Sequence, residues 1–176
     1  SFLKKGIKEI FFGKSTLKVN LSKKDKNQFS IEGDYRLSND KKYQKYKFDS
    51  NFKKSNSTFN IDLDLDEHIF IEILNYEKKE NKVANINARF DLVNKGINID
   101  NINYSEGKSS ISLNKIEINK NNQIKKFRNI RVKTFRNDKE NNNFEILFGK
   151  KIAIKGKSYD STNLIKNINK KEKNNF

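Results

Sequence analysis

Residues 59–66 read Phe-Asn-Ile-Asp-Leu-Asp-Leu-Asp. Strict alternation of this kind puts every apolar side chain on one face of a strand and every carboxylate on the other, because successive side chains point to opposite sides. The same period of two recurs along the chain. It appears at Leu17/Val19/Leu21, at Phe29/Ile31 and Tyr35/Leu37 with Gly33 between, and at Tyr46/Phe48. It returns at Ile69/Ile71/Ile73 and over Ala84–Leu92, then at Ile97/Ile99, Ile102/Tyr104, Ile111/Leu113, Ile116/Ile118, Ile130/Val132, Phe144/Ile146/Phe148 and Ile152/Ile154. Apolar spacings of three and four, the mark of an amphipathic helix, are almost missing.

Polar clusters separate these runs: Ser22–Asn27, Ser38–Lys42, Glu77–Lys82, Asn94–Gly96, Ser105–Lys108, Asn119–Asn122 and Asn137–Asn143. Strands joined by short polar turns predict an antiparallel meander. The expected fold is therefore all-β: an extended, curved, mostly antiparallel sheet, either a meander or a repeated β-groove, with a short helix near the C-terminus. Residues 1–14 read as a lead-in with mixed spacing that could form a short helix, 15–158 as one continuous antiparallel unit, and 159–176 as a short helix and frayed tail. Asp160 or Ser161 would cap that helix, which would carry Leu164, Ile165 and Ile168. No Pro- or Gly-rich linker divides the chain.

Composition removes several chemistries. The chain has no Cys and one His, His68, which excludes disulfides, thiolate metal sites, multi-histidine centres and paired catalytic histidines. No Met is present, so the chain reads as a piece of something longer. Lys+Arg 38 against Asp+Glu 22 leaves a net charge of +16. Such a charge favours anionic partners, but the abundance of Lys over Arg, with much Asn and Ile, also matches AT-rich codon usage. No apolar run approaches the roughly 18 residues of a membrane span.

Local motifs fail on their details. Gly-Lys-Ser occurs at 13–15, 107–109 and 156–158, yet the positions where a phosphate-binding loop needs its first glycine hold Lys8, Ile102 and Lys151. Asp62, Asp64 and Asp66 resemble the start of a calcium loop, but Glu67 and Ile73 stand where Gly and Glu are required. A serine nucleophile elbow does not occur. No cofactor and no enzymatic activity are expected. One basic stretch remains, with Lys125, Lys126, Arg128, Arg131 and Lys133 interleaved with Phe127 and Phe135. Cations and rings in this arrangement suit phosphate, in a nucleic acid or in a lipid headgroup. A wet basic strand pair would read the same way, and the aromatic signature of an RNA-binding sheet is missing.

The second half shows an order of elements that carries further. Arg89-Phe-Asp-Leu-Val-Asn-Lys-Gly-Ile-Asn-Ile-Asp-Asn-Ile-Asn-Tyr-Ser-Glu-Gly107 is followed by short runs at 109–118, 124–132 and 143–148. The sequence then closes on Lys151-Ile-Ala-Ile-Lys-Gly-Lys-Ser-Tyr-Asp160-Ser-Thr-Asn-Leu-Ile-Lys. Over roughly 57–168 this resembles the AsmA-like family, the bacterial envelope proteins that include YhdP and TamB, with Tyr104 standing where a Trp is expected. The resemblance implies a periplasmic segment, anchored to the inner membrane by a part outside this chain. It implies repeated strands around an apolar groove, phospholipid acyl chains as partner, and a role in lipid transport and outer-membrane homeostasis.

On that reading Phe59, Ile61, Leu63, Leu65, Ile69, Ile71, Ile73, Ile86 and Phe90 line the groove, and the basic residues 125–133 named above contact anionic headgroups. Asp62, Asp64 and Asp66 face water. Two rival classes stay open: a basic β domain binding nucleic acid, and a structural envelope module whose strands close into a sandwich with a dry core.

Overall fold

The computed structural model describes residues 9–22, 27–37, 42–52, 57–79, 82–93 and 96–163. Each alternating run extends and pairs with its neighbour, as the period of two requires. The strands are β1 (Ile10–Asn20), β2 (Asn27–Leu37), β3 (Gln44–Phe52), β4 (Ser57–Leu65), β5 (Ile69–Ile71), β6 (Tyr76–Lys78) and β7 (Ala84–Val93). They continue as β8 (Gly96–Glu106), β9 (Ser109–Asn119), β10 (Ile124–Lys126), β11 (Asn129–Arg136), β12 (Lys139–Leu147) and β13 (Ala153–Ser158). Three quarters of the described residues are in strands, and every pairing is antiparallel.

Eleven strands make one open sheet, in the order β1-β2-β3-β4-β7-β8-β9-β11-β12-β13 with β10 beside β9. The all-β, antiparallel expectation holds. β1 begins at Ile10, inside the stretch read as a lead-in, and residues 1–8 lie outside the described ones. The short helix expected after Asp160 falls mainly on residues 164–176, which also lie outside them.

Two sequence readings are corrected. Ile69, Ile71 and Ile73 do not continue the sheet. Between β4 and β7 the chain leaves it, forms the β5–β6 hairpin through a 3-10 turn at Glu72–Leu74, and returns. Asn75 reverses the chain with φ 46, its N–H donating to the Glu72 carbonyl at 3.0 Å. Asn is among the few residues that tolerate this left-handed backbone. Second, the turn read over Asn137–Asn143 is shorter. Asn137 (φ 50) and Asp138 (φ 61) alone make it, and Asn141–Asn143 belong to β12. Positive φ at both central residues is the two-residue hairpin turn whose twist matches that of the flanking strands.

In an antiparallel pair, directly opposed residues share a face. The register places Leu17, Ile31, Phe48, Ile61, Ala88, Ile102, Leu113, Ile130, Ile146 and Ile154 in one row across the sheet. A neighbouring row on the same face holds Gly33, Tyr46, Leu63, Ile86, Tyr104, Ile111, Val132 and Phe144. One face of the whole sheet is thus apolar. The other carries Glu32, Lys47, Asp62, Asn87, Asn103 and Ser112 in a single row.

β8 and β9 keep this segregation by a device. Their apolar phase slips once, between Ile99 and Ile102 and between Leu113 and Ile116. Asp100 is an extra residue of β8 against β7, whose register shifts between Arg89 and Phe90, and Lys115 faces it in β9 with φ 53. The two irregularities fall side by side, so Ile99 and Ile116 return to the apolar face together. What reads in sequence as four short runs is two 11-residue strands.

Candidate functional site

Five of the nine residues expected to line a groove, Phe59, Ile61, Leu63, Ile86 and Phe90, lie together on the apolar face of β4 and β7, where Leu63 opposes Ile86 and Phe59 opposes Phe90. Leu65 ends the same face of β4, buried at 8% exposure. The remaining three sit in the hairpin. Ile69 is buried, Ile71 packs toward the sheet, and Ile73 is 61% exposed. Asp62 is exposed on the opposite face, while Asp64 and Asp66 are half-buried near the hairpin end.

The apolar face carries rings that the reading of single strands did not join. Phe29 lies 6.1 Å from Phe48, Phe48 5.7 Å from Phe59, and Phe59 stacks on Phe90 at 5.2 Å with an interplanar angle of 18°. Phe52 adds an edge contact to Phe59 at 5.8 Å. This chain of rings crosses four strands, β2, β3, β4 and β7, and each neighbouring pair adds attraction beyond its buried area. Ser50 sits in the register row between Phe29 and Phe59, and its buried hydroxyl has no hydrogen-bond partner among the described residues. No second sheet covers this half of the face among the described residues.

The other half is covered. Leu74 and Tyr76 of the hairpin pack with Val132, against Ile71, Tyr104, Ile111, Ile130 and Phe144. Polar anchors fix the cover at the end of the strands where β11 stops and β12 starts. Asn142, wholly buried, donates to the Leu74 carbonyl at 2.7 Å and to Thr134 Oγ1 at 2.8 Å. The Asn75 amide donates to Asp160 at 2.8 Å, and the backbone N–H of Asp66 to the Gln44 side chain at 2.7 Å. Lys78 is buried too, its ammonium donating to the Glu67 carbonyl at 2.6 Å. The hydroxyls of Tyr76 and Tyr104 lie 2.7 Å apart, and Tyr76 donates to Glu106 at 3.0 Å. Burial first, then the neighbouring phenol and carboxylate, raises the Tyr76 pKa, and burial pushes Tyr104 up to about 12. Asp160 is held down at about 2, chiefly by the Thr162 hydroxyl, with Asn75, the Thr162 N–H and Asn141 assisting. Sequence patterning missed these polar residues, because their roles arise only from the hairpin folding back over the sheet.

The basic stretch does not present an open row of cations. Arg131 pairs with Glu145 at 2.9 Å, Lys126 with Glu117 at 2.8 Å, and Lys133 with Glu140 at 3.9 Å while its ammonium lies 5.7 Å from the Phe135 ring. Lys125 and Arg128 are exposed and form no ion pair among the described residues. The polar face elsewhere is similarly neutralised, by Lys45 with Asp34 at 2.6 Å and Lys18 with Glu32 at 3.8 Å. One depression lies over Glu32, Asp34, Lys45 and Asp62 and another over Lys18, Gln28, Asp49 and Asn60.

No cluster of three metal-binding side chains occurs among the described residues, and His68 pairs with Glu77 at 3.0 Å. Among them, no helix is long and apolar enough to cross a membrane. Compared with family models, with curated proteins and with solved structures, the chain matches none.

Proposed function

We propose that this chain is a non-enzymatic, AsmA-like envelope segment that holds phospholipid acyl chains against the apolar face of its sheet. In this reading it serves lipid transport between the inner and outer membranes from the periplasm, anchored by a region outside this chain. Lys125, Lys126, Arg128, Arg131 and Lys133 contact anionic headgroups.

The observation that carries the reading is the one-sided sheet, with rows of Ile, Leu and Phe running across its strands and a cover over only part of them. Neighbouring strands stand about 4.8 Å apart and rise about 3.3 Å per residue. An uncovered half of several strands therefore spans on the order of a few hundred Å², the size at which the largest apolar patch of a protein often serves binding. A sandwich would need a second sheet over Phe48, Phe59 and Phe90.

The test is Ile61→Asp or Leu63→Asp, with Asp62→Asn as the control on the opposite face. Phospholipid that co-purifies is measured by mass spectrometry, and folding by circular dichroism. On an open face the new carboxylate reaches water, so the domain stays folded and the lipid is lost. In a dry core an unpaired buried charge is very costly, and an unfolded mutant would sink the acyl-binding reading.

A further inference from the structure

The sheet has a distinct corner at the end of the strands remote from the hairpin. There the segment from β10 to the start of β11 meets the close of β12 and the start of β13. The Phe148 N–H donates to the Arg128 carbonyl at 3.3 Å, Asn129 is the register partner of Leu147, and Leu147 of Ala153. Four large apolar side chains gather at this corner, three of them exposed. Ile124 and Ile152 are each 63% exposed and Phe148 42%, and the Phe127 ring packs on Phe148 at 5.1 Å.

Cations surround them. Lys120, Lys125, Lys126, Arg128, Lys150 and Lys151 are all exposed in the same two segments. The one acid within 117–129 and 147–153 is Glu117, which takes Lys126. The other five form no ion pair among the described residues. At the hairpin end, by contrast, Lys82 reaches toward Glu106 and Lys133 toward Glu140.

We propose that this corner docks the protein on the surface of an anionic phospholipid bilayer, with Ile124, Ile152 and Phe148 entering the headgroup region and the surrounding cations meeting lipid phosphates. The proposal rests on the lipid-handling reading. It narrows the headgroup contact to the residues at one corner, and it adds Lys120, Lys150 and Lys151 together with an apolar anchor. Bilayer rather than nucleic acid is favoured by the aliphatic tips, which a phosphate backbone cannot accommodate.

Each cation near an anionic surface contributes about fivefold in affinity. The experiment sediments the full chain with vesicles of phosphatidylcholine plus phosphatidylglycerol, and with phosphatidylcholine alone, at low and high salt. The wild type should bind only the anionic vesicles, and more weakly at high salt. Lys125→Glu with Lys151→Glu should lose at least about tenfold, and Ile124→Ser with Ile152→Ser should lose a similar factor. The same charge change at the opposite end, Lys108→Glu with Lys157→Glu, should retain binding. Equal loss for both charge pairs, or equal binding to neutral vesicles, would overturn the proposal. So would corner variants that lose affinity for an RNA oligonucleotide while vesicle binding is unchanged.

The two lipid readings fail separately. Ile61→Asp should lose co-purified lipid and keep vesicle binding, and Ile124→Ser with Ile152→Ser should do the reverse.

Discussion

The ammonium of Lys115 lies 2.6 Å from the Asp100 carboxylate, and the two residues face each other at the single point where the alternation of β8 and β9 slips. Arg89 adds a second cation to Asp100 at 3.6 Å. The Lys115 hydrogen bond, foremost, lowers the Asp100 pKa. Both side chains are exposed, so the pair itself contributes at most about 1 kcal/mol. The backbone requirement is larger, because Lys115 stands at φ 53.

Lys115→Gly should therefore leave stability within about 1 kcal/mol of wild type, relief of the left-handed backbone offsetting the lost pair. Lys115→Val, β-branched at positive φ, should cost about 1–3 kcal/mol more than Lys115→Gly. Urea melts of the two variants decide it. Equal midpoints would mean that the slip does not need this conformation.

Tyr76→Phe should destabilise by about 1–3 kcal/mol, because Tyr104 and Glu106 lose a buried partner. The same hydroxyls set an alkaline limit. Tyr104 ionises near pH 10 when unfolded but only near about 12 when folded, and Tyr76 is raised as well. The contribution of Tyr104 is full below pH 10 and is lost as pH rises through 12, and that of Tyr76 declines over the same range and beyond. Tyr76→Phe should remove one late-titrating phenol from the tyrosinate absorbance and make the alkaline decline in stability shallower.

Two adjacent residues of the hairpin should behave in opposite ways. Leu74→Ala opens a space beneath Tyr76 and against Val132 and should cost about 2–5 kcal/mol. Ile73→Ala, 61% exposed, should change stability by less than about 0.5 kcal/mol. Similar losses at both positions would place the hairpin differently on the sheet.

Ser50→Ala tests the one polar interruption in the ring-lined row. Its hydroxyl is buried without a partner, so replacing it with a methyl should raise stability by up to about 1 kcal/mol. A clear destabilisation would show that the hydroxyl is satisfied, by water or by a bound ligand, and lipid mass spectrometry on the same variant would separate the two.

How much of this was legible in the chain depends on which interaction does the work. Phe59, Ile61 and Leu63 could be assigned to one face because the pleat alone decides it. Even the slip at Asp100 and Lys115 is written in the spacing, since Ile99 to Ile102 and Leu113 to Ile116 each skip two residues. The departure of Ile69, Ile71 and Ile73 from the sheet is not. Their alternation is genuine within β5 up to Ile71, and only the left-handed Asn75 and the distant Asn142 and Asp160 side chains turn the segment back. Those partners are about seventy to eighty-five residues away, beyond any local pattern. The ion pairs of the basic stretch are hidden in the sequence for a related reason. Glu145, Glu140 and Glu117 neutralise it only across strands.

The arrangement of the strands also determines how the molecule should yield to force. Nearly every pairing in the sheet joins strands adjacent along the chain. Pulled from its two ends, such a sheet peels one strand at a time, each hairpin releasing its own length at low tension with the remainder undisturbed. The Asn142 contact to the Leu74 carbonyl and the Asn75 contact to Asp160 clip that zipper shut across the stretch from β7 to β12. An extension trace should begin with small regular steps as β1, β2 and β3 detach. It should then meet one higher peak, when the clip gives way and the strands behind it become free to unravel.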